Sequence, residues 1–121
     1  MTDLYHEVLL DLARYPSHVG VMKNPDLIIS GTNASCGDKV TIYLKIEDNQ
    51  IVDFSWVGSG CIISQAAMSS LAEKIVSERH TVSEIKAMTQ QEILTWLHLE
   101  VITPGRIKCL TLGLHTLQSN V

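Results

Sequence analysis

Residues 40–47 read VTIYLKIE, in which an aliphatic side chain occupies each of the four even positions. Successive side chains of a β-strand point to opposite faces of its sheet, so this alternation predicts a strand with one buried face. It is the clearest local pattern in the chain, and the remaining elements can be placed around it.

The residues that follow this strand predict a β-hairpin. Residues 48–50, DNQ, have the composition of a tight turn, and residues 51–57 then alternate again. The apolar side of that second run comprises Val52, Phe54 and Trp56. Two alternating runs joined by a few turn residues form a hairpin. A short apolar stretch at 27–30 adds one more strand, so we expect a three-stranded antiparallel sheet.

Two long helices are predicted from the 3.6-residue spacing of apolar side chains. The first covers residues 4–15 and ends at Pro16, whose ring disfavours the helical conformation at the preceding residue. The second follows Gly60 and carries an apolar stripe from Ile63 to Ile75, which we interpret as a surface that packs on the sheet.

Three more helices are predicted in the second half of the chain. TVSE at 81–84 and TQQE at 89–92 are capping-box patterns, and we expect the helix after the second one to reach about residue 98. A break at 103–105 precedes a last amphipathic helix. Helices packed on one face of a three-stranded antiparallel sheet define an α+β fold. We expect residues 1–121 to form a single domain.

Composition excludes several classes of function. The 121 residues carry a net charge of −4 and no basic block, which argues against nucleic acid as a partner. No apolar run approaches the ~18 residues that a membrane span requires, and no signal peptide is expected. Three cysteines are an odd number and cannot form a disulfide framework, so we expect a reducing, cytoplasmic location.

The three cysteines are the candidate chemical site. Cys36 and Asp38 are two residues apart between strands, which in extended chain directs both side chains to one side. Cys61 follows a glycine-rich turn and begins a helix, and Cys109 lies in the first turns of the last helix. Partial positive charge at a helix N-terminus favours a thiolate. Three thiolates and one carboxylate make a four-ligand set for a tetrahedral ion such as Zn²⁺.

An alternative for each cysteine is an inert buried thiol, since free cysteine packs as a small hydrophobic residue. The cysteines are 25 and 48 residues apart, unlike the compact pairs of zinc fingers, so spacing alone leaves both interpretations open. None of the five histidines lies at a spacing from a cysteine that indicates a shared site.

Three motifs resemble those of the U-type iron–sulfur cluster assembly proteins, the family of IscU, SufU and the N-terminal domain of NifU. NASCGD at 33–38 resembles the first ligand motif of that family. GSGCIISQA at 58–66 is similar to its Gly-x-Gly-Cys-x-x-Ser-x-Ala segment, and RIKC at 106–109 resembles its third ligand motif. The resemblance runs nearly end to end, in the same chain order.

The resemblance implies an IscU/NifU-N-like fold and a scaffold that accepts sulfur from a cysteine desulfurase. Cys36, Asp38, Cys61 and Cys109 would hold Zn²⁺ or a transient [2Fe–2S] cluster, which is passed to recipient apo iron–sulfur proteins. Cys36 is the candidate persulfide acceptor and Cys109 the alternative one. We therefore expect a non-enzymatic scaffold or sulfur carrier in preference to an enzyme.

The chain departs from the IscU pattern at the third motif. Lys108 stands where IscU-type members carry histidine, and with Arg106 it resembles SufU. The interval between the second and third cysteines is shorter than in most SufU members, and residues 102–106 differ from the IscU chaperone-recognition segment. Two alternatives follow: a zinc-dependent sulfurtransferase that relays persulfide sulfur without assembling a cluster, and a structural zinc domain.

Overall fold

The computed structural model describes residues 10–12, 14–33, 37–97 and 104–121, apart from the side chains of residues 105 and 106. Its centre is a three-stranded sheet with the order β1-β2-β3, in which both neighbouring pairs are antiparallel. The strands are β1 (Leu27–Asn33), β2 (Asp38–Glu47) and β3 (Gln50–Ser59). The sheet confirms the prediction, with each strand two or three residues longer than its sequence pattern indicated.

The hairpin between β2 and β3 contains a β-bulge that corrects one prediction. Its turn is a two-residue loop whose residues, Asp48 and Asn49, both have positive φ (50° and 67°), as the favoured hairpin turns require. Lys45 pairs with Asp53 and Ile46 pairs with Ile51, which leaves Val52 without a partner in the register. The extra residue shifts the alternation. Ile51 is therefore fully buried in place of the predicted Val52.

Among the described residues, four helices follow the sheet: α1 (Ile62–Ser77), α2 (Val82–Ala87), α3 (Gln90–Trp96) and α4 (Pro104–Asn120). Both predicted capping boxes are present, because Glu84 and Glu92 each accept the backbone N–H of the threonine three residues before them. Residues 10–12 and 14 are helical, as predicted for the first helix, and residues 4–9 and 13 lie outside the described residues. None of the described helices could cross a membrane.

The core lies between the inner face of the sheet and the two long helices. α1 packs against β3, α4 packs against β1, and the two helices contact each other. Two glycines permit these close approaches: a Cβ at Gly31 would collide with Thr116 of α4, and a Cβ at Gly113 would collide with Met68 of α1. This arrangement is the predicted α+β class, and it brings the beginnings of β2, α1 and α4 to one end of the molecule.

Candidate metal centre

Asp38 occupies the first position of β2 and is buried. It pairs with Asn33, the last residue of β1, and the connection between them includes Gly37 with φ of 74°. Only 2% of Asp38 is exposed. A buried carboxylate requires hydrogen bonds or a cation, since burial of an isolated charge is unfavourable.

Cys61 is the N-cap residue of α1, as the sequence predicted. Its backbone is extended (φ −76°, ψ 172°), and its Sγ accepts the backbone N–H of Ser64 at 3.5 Å. Its own N–H donates to Oδ1 of Asp38 at 3.3 Å. These two contacts fix the thiol beside the carboxylate at the positive end of the helix dipole, where negative charge is stabilised.

Gly60 leaves the space that this arrangement needs. A Cβ at this position would lie 2.6 Å from Oδ1 of Asp38 and 2.8 Å from Oγ of Ser64. Ser64 is itself buried and lies one turn into α1. Gly60 and Ser64 both belong to the GSGCIISQA motif, which by itself does not predict these roles; the signal for them is a serine three residues after an N-cap cysteine.

Cys109 lies in the second turn of α4 and is 4% exposed. The carboxylate of Asp38 and the thiols of Cys61 and Cys109 offer ligand atoms that all lie within 4.8 Å of one another. We call these three residues the Asp–Cys–Cys cluster. Tertiary structure thus unites three of the four side chains that the sequence nominated.

The Asp–Cys–Cys cluster has the chemistry and the size of a metal site. Ligand atoms around a tetrahedral zinc ion lie about 3.8 Å apart when the Zn–S bonds are about 2.3 Å long, so 4.8 Å requires only a small contraction. Two thiolates and a carboxylate would place three negative charges together in a largely buried position. A divalent cation or a cluster iron removes that repulsion, so the residues fit such a group.

The other residues singled out from the sequence lie either outside the Asp–Cys–Cys cluster or outside the described part of the chain. Cys36 lies outside the described residues, so its part in the site stays a prediction, as does the side chain of Arg106. Lys108 is exposed next to Cys109. The described histidines, His18, His80 and His115, do not belong to the Asp–Cys–Cys cluster.

Known proteins with similar sequences include an iron–sulfur scaffold and a zinc-dependent protein, which agrees with a metal site at the Asp–Cys–Cys cluster. Residues 4–121 match the model of the NifU-like N terminal domain family. The chain is 34% identical to the iron–sulfur cluster assembly scaffold protein IscU of Thermotoga maritima, over 95% of this chain and 90% of that protein. It is 26% identical to the zinc-dependent sulfurtransferase SufU of Bacillus subtilis, over 98% of this chain and 89% of that protein.

A solved structure extends the comparison to three dimensions. The crystal structure of FiSufU from the thermophile Fervidobacterium islandicum AW-1 superposes with a TM-score of 0.82. It is 27% identical in sequence, and the match covers 94% of this chain and 93% of that chain. The fold, the ordered motifs and the family match agree, and the chain belongs to the NifU-like N-terminal domain family.

Proposed function

We propose that this protein is an iron–sulfur cluster assembly scaffold that accepts sulfur from a cysteine desulfurase. The single observation that carries the proposal is the convergence of Asp38, Cys61 and Cys109 within 4.8 Å in a chain of this family. The relative from Thermotoga maritima bears the name of such a scaffold. A nascent [2Fe–2S] cluster is the cargo of the site, and Zn²⁺ is the ion that the same ligands would hold in its place.

Cys36 is the fourth ligand and the first sulfur acceptor in this proposal. It lies two residues before Asp38 in the connection between β1 and β2, so its Cα is at most about 7 Å from that of Asp38 along the chain. Cys109 is 4% exposed, which supports Cys36 over Cys109 as the thiol that meets a partner protein. Cys61 is half-buried and engaged as an N-cap.

The transfer step needs no external oxidant or reductant. The Cys36 thiolate attacks the terminal sulfur of the persulfide on the desulfurase, and a new S–S bond forms as the donor's S–S bond breaks. The donor cysteine leaves as a thiolate, and Cys36 carries the persulfide. Asp38 supplies an oxygen ligand, which is harder than thiolate and exchanges more readily, as suits a site that must release its cargo.

Relay of sulfur at a zinc site, without cluster assembly, is the second candidate function. The observation that favours it is Lys108, an exposed residue next to Cys109 at the position where IscU-type proteins carry histidine. A lysine at this position cannot act as a metal ligand in place of the imidazole while it is charged. The relative from Bacillus subtilis is named a zinc-dependent sulfurtransferase.

The partners in this proposal are a cysteine desulfurase and recipient apo iron–sulfur proteins, in the reducing environment of the cytoplasm. Free thiols are required for every step, and disulfide-forming compartments would remove them. The direct test combines native mass spectrometry with a transfer assay. Protein purified without oxygen, chelator or added metal should carry two irons and two sulfides after incubation with desulfurase, cysteine, ferrous iron and the thiol reductant dithiothreitol, which supplies the remaining electrons that reduce persulfide sulfur to sulfide.

The outcomes separate the two candidate functions. Retention of one zinc with labelled sulfur on Cys36, and no retained iron, would establish the relay and reject the scaffold. A Cys36→Ala variant should lose sulfur acceptance, and Ser59→Ala, at an exposed position near the site, is the matched control. Unchanged sulfur acceptance in Cys36→Ala would reject Cys36 as the acceptor.

A further inference from the structure

The two edge strands of the sheet, β1 and β3, differ in how far other segments of the chain cover their outer backbone. The outer edge of β3 is covered at both ends by irregular segments of the chain. At one end Gly20 N–H donates to the carbonyl of Trp56 (2.8 Å) and Trp56 N–H donates to the carbonyl of His18 (3.0 Å). At the other end Ile51 N–H donates to the carbonyl of His80 (3.0 Å). Such cover keeps an edge strand from pairing with other chains.

The outer edge of β1 has no comparable cover among the described residues: the strand pairs with β2, and at its end the carbonyl of Asn33 also accepts the N–H of Gly37 at 2.8 Å. The seven residues LIISGTN contain no charged side chain and no proline, and they pair with β2 in regular register without a bulge. Ile28 is 57% exposed on this strand. Charges, prolines and bulges are the usual means of blocking an edge, so within the part of the chain that the structure describes β1 is open to an added strand.

A groove of about 530 Å³ runs beside this strand, between β1 and α4. Its lining is mostly hydroxyl and amide side chains, and it contains Lys108 and His115 but no aspartate or glutamate. Both of these basic residues are exposed. The whole chain carries a net charge of −4, so a groove whose one formal charge is the cation of Lys108, with no carboxylate in its lining, is a local reversal that favours an acidic ligand.

We propose that β1 and this groove, together the β1 groove, form a docking site for an extended acidic segment of a partner protein. The segment adds to the sheet as a fourth strand, so that main-chain hydrogen bonds hold it and its carboxylates face Lys108 and His115. A second copy of this chain is less suitable, since its own β1 brings no carboxylate to the cation of Lys108. The proposal goes beyond the proposed function and rests on the edge and the charges alone.

The position of the β1 groove explains what such docking would achieve. β1 ends at Asn33, which pairs with Asp38, and Lys108 directly precedes Cys109. A strand bound along β1 therefore reaches the Asp–Cys–Cys cluster at one of its ends. The bound segment would hold a partner protein beside that cluster without occupying a ligand position.

The test is a selection of random 12-residue peptides displayed on phage, with the metal-free protein as bait. We expect enrichment of peptides with alternating β-branched residues and with aspartate or glutamate. Synthetic versions should slow amide hydrogen exchange at residues 28–32. His115→Glu should weaken their binding at least tenfold, and His115→Lys should retain it. Gln91→Glu, an exposed site on α3, is the charge-matched control and should bind as the wild type does.

Four outcomes would overturn the proposal. The first is the absence of enriched peptides, and the second is a set of neutral or basic binders insensitive to His115→Glu. The third is that bound peptide slows amide hydrogen exchange at residues outside 27–33. A concentration-dependent dimer with protection of β1 in the absence of peptide would identify a second copy as the occupant and reject the acidic segment. None of these readouts involves sulfur or iron, so failure here is distinct from failure of the scaffold function.

Discussion

Substitution of Gly60 by alanine should weaken metal binding without unfolding the protein. The added Cβ would lie 2.6 Å from Oδ1 of Asp38 and 2.8 Å from Oγ of Ser64, both closer than such contacts allow. Gly60 does not have a positive φ, so alanine meets no backbone strain there. Relief of the first contact requires the Asp38 carboxylate to rotate, and Asp38 is 2% exposed, so the carboxylate has little free space in which to turn.

The size of the effect follows from the contact that this rotation breaks. The Cys61 N–H donates to Oδ1 of Asp38 at 3.3 Å, and hydrogen bonds to charged groups contribute about 1.5–3 kcal/mol. The bond is long, so the lower value applies, and about 1.4 kcal/mol corresponds to a tenfold change in affinity. Loss of support for a metal ligand typically costs about 10- to 100-fold in affinity. We therefore expect the Kd for Zn²⁺ to rise at least about tenfold.

A competition titration against a chromophoric zinc chelator, with reduced protein and without oxygen, measures this change. Ser59→Ala is the matched control, since it alters the preceding, exposed residue and should leave the Kd unchanged. The double variant Gly60→Ala/Ser64→Ala removes one of the two collisions and should recover part of the affinity. A Gly60→Ala protein with wild-type affinity would refute the assignment of Asp38 as a ligand positioned by this glycine.

Three further predictions concern stability. Chelation of bound Zn²⁺ should lower Tm, because a ligand present at 100 times its Kd stabilises the folded state by about 2.7 kcal/mol; an unchanged melting curve after verified metal removal contradicts this. Phe54→Ala should destabilise the protein by about 3–5 kcal/mol in urea unfolding, since Phe54 is fully buried, and a loss below about 1 kcal/mol would show that the core collapses around the gap. The pKa of Glu84 lies below its ordinary value chiefly because its carboxylate accepts the backbone N–H of Thr81. A lowered pKa stabilises the fold above the ordinary carboxyl pKa of about 4, and that stabilisation is lost as the pH falls through the folded-state value. The Tm advantage of the wild type over Glu84→Gln should accordingly shrink below about pH 4 in thermal melts, and a constant difference would count against the capping role.

Local signals predicted the elements that depend on neighbouring residues. The capping boxes at Thr81 and Thr89 began helices at the next residue, because the groups that they satisfy lie within three residues. The alternation in residues 40–47 predicted the buried face of β2 for the same reason. In β3 the same alternation predicted that Val52 shares a face with Phe54 and Trp56, and this was wrong. A period of two cannot anticipate an extra residue in one strand.

The sequence by itself determined the α+β class, the strand order of the hairpin, and the four side chains nominated for the site. These follow from short-range periodicity, from turn chemistry and from motifs that resemble a known family. Only the tertiary structure decided that Asp38, Cys61 and Cys109 meet within 4.8 Å, although Cys61 and Cys109 are 48 residues apart. That convergence depends on close packing of α4 on the sheet at Gly31 and of α4 on α1 at Gly113. Contacts between such distant residues are set by the packing of whole elements, and no local pattern encodes them.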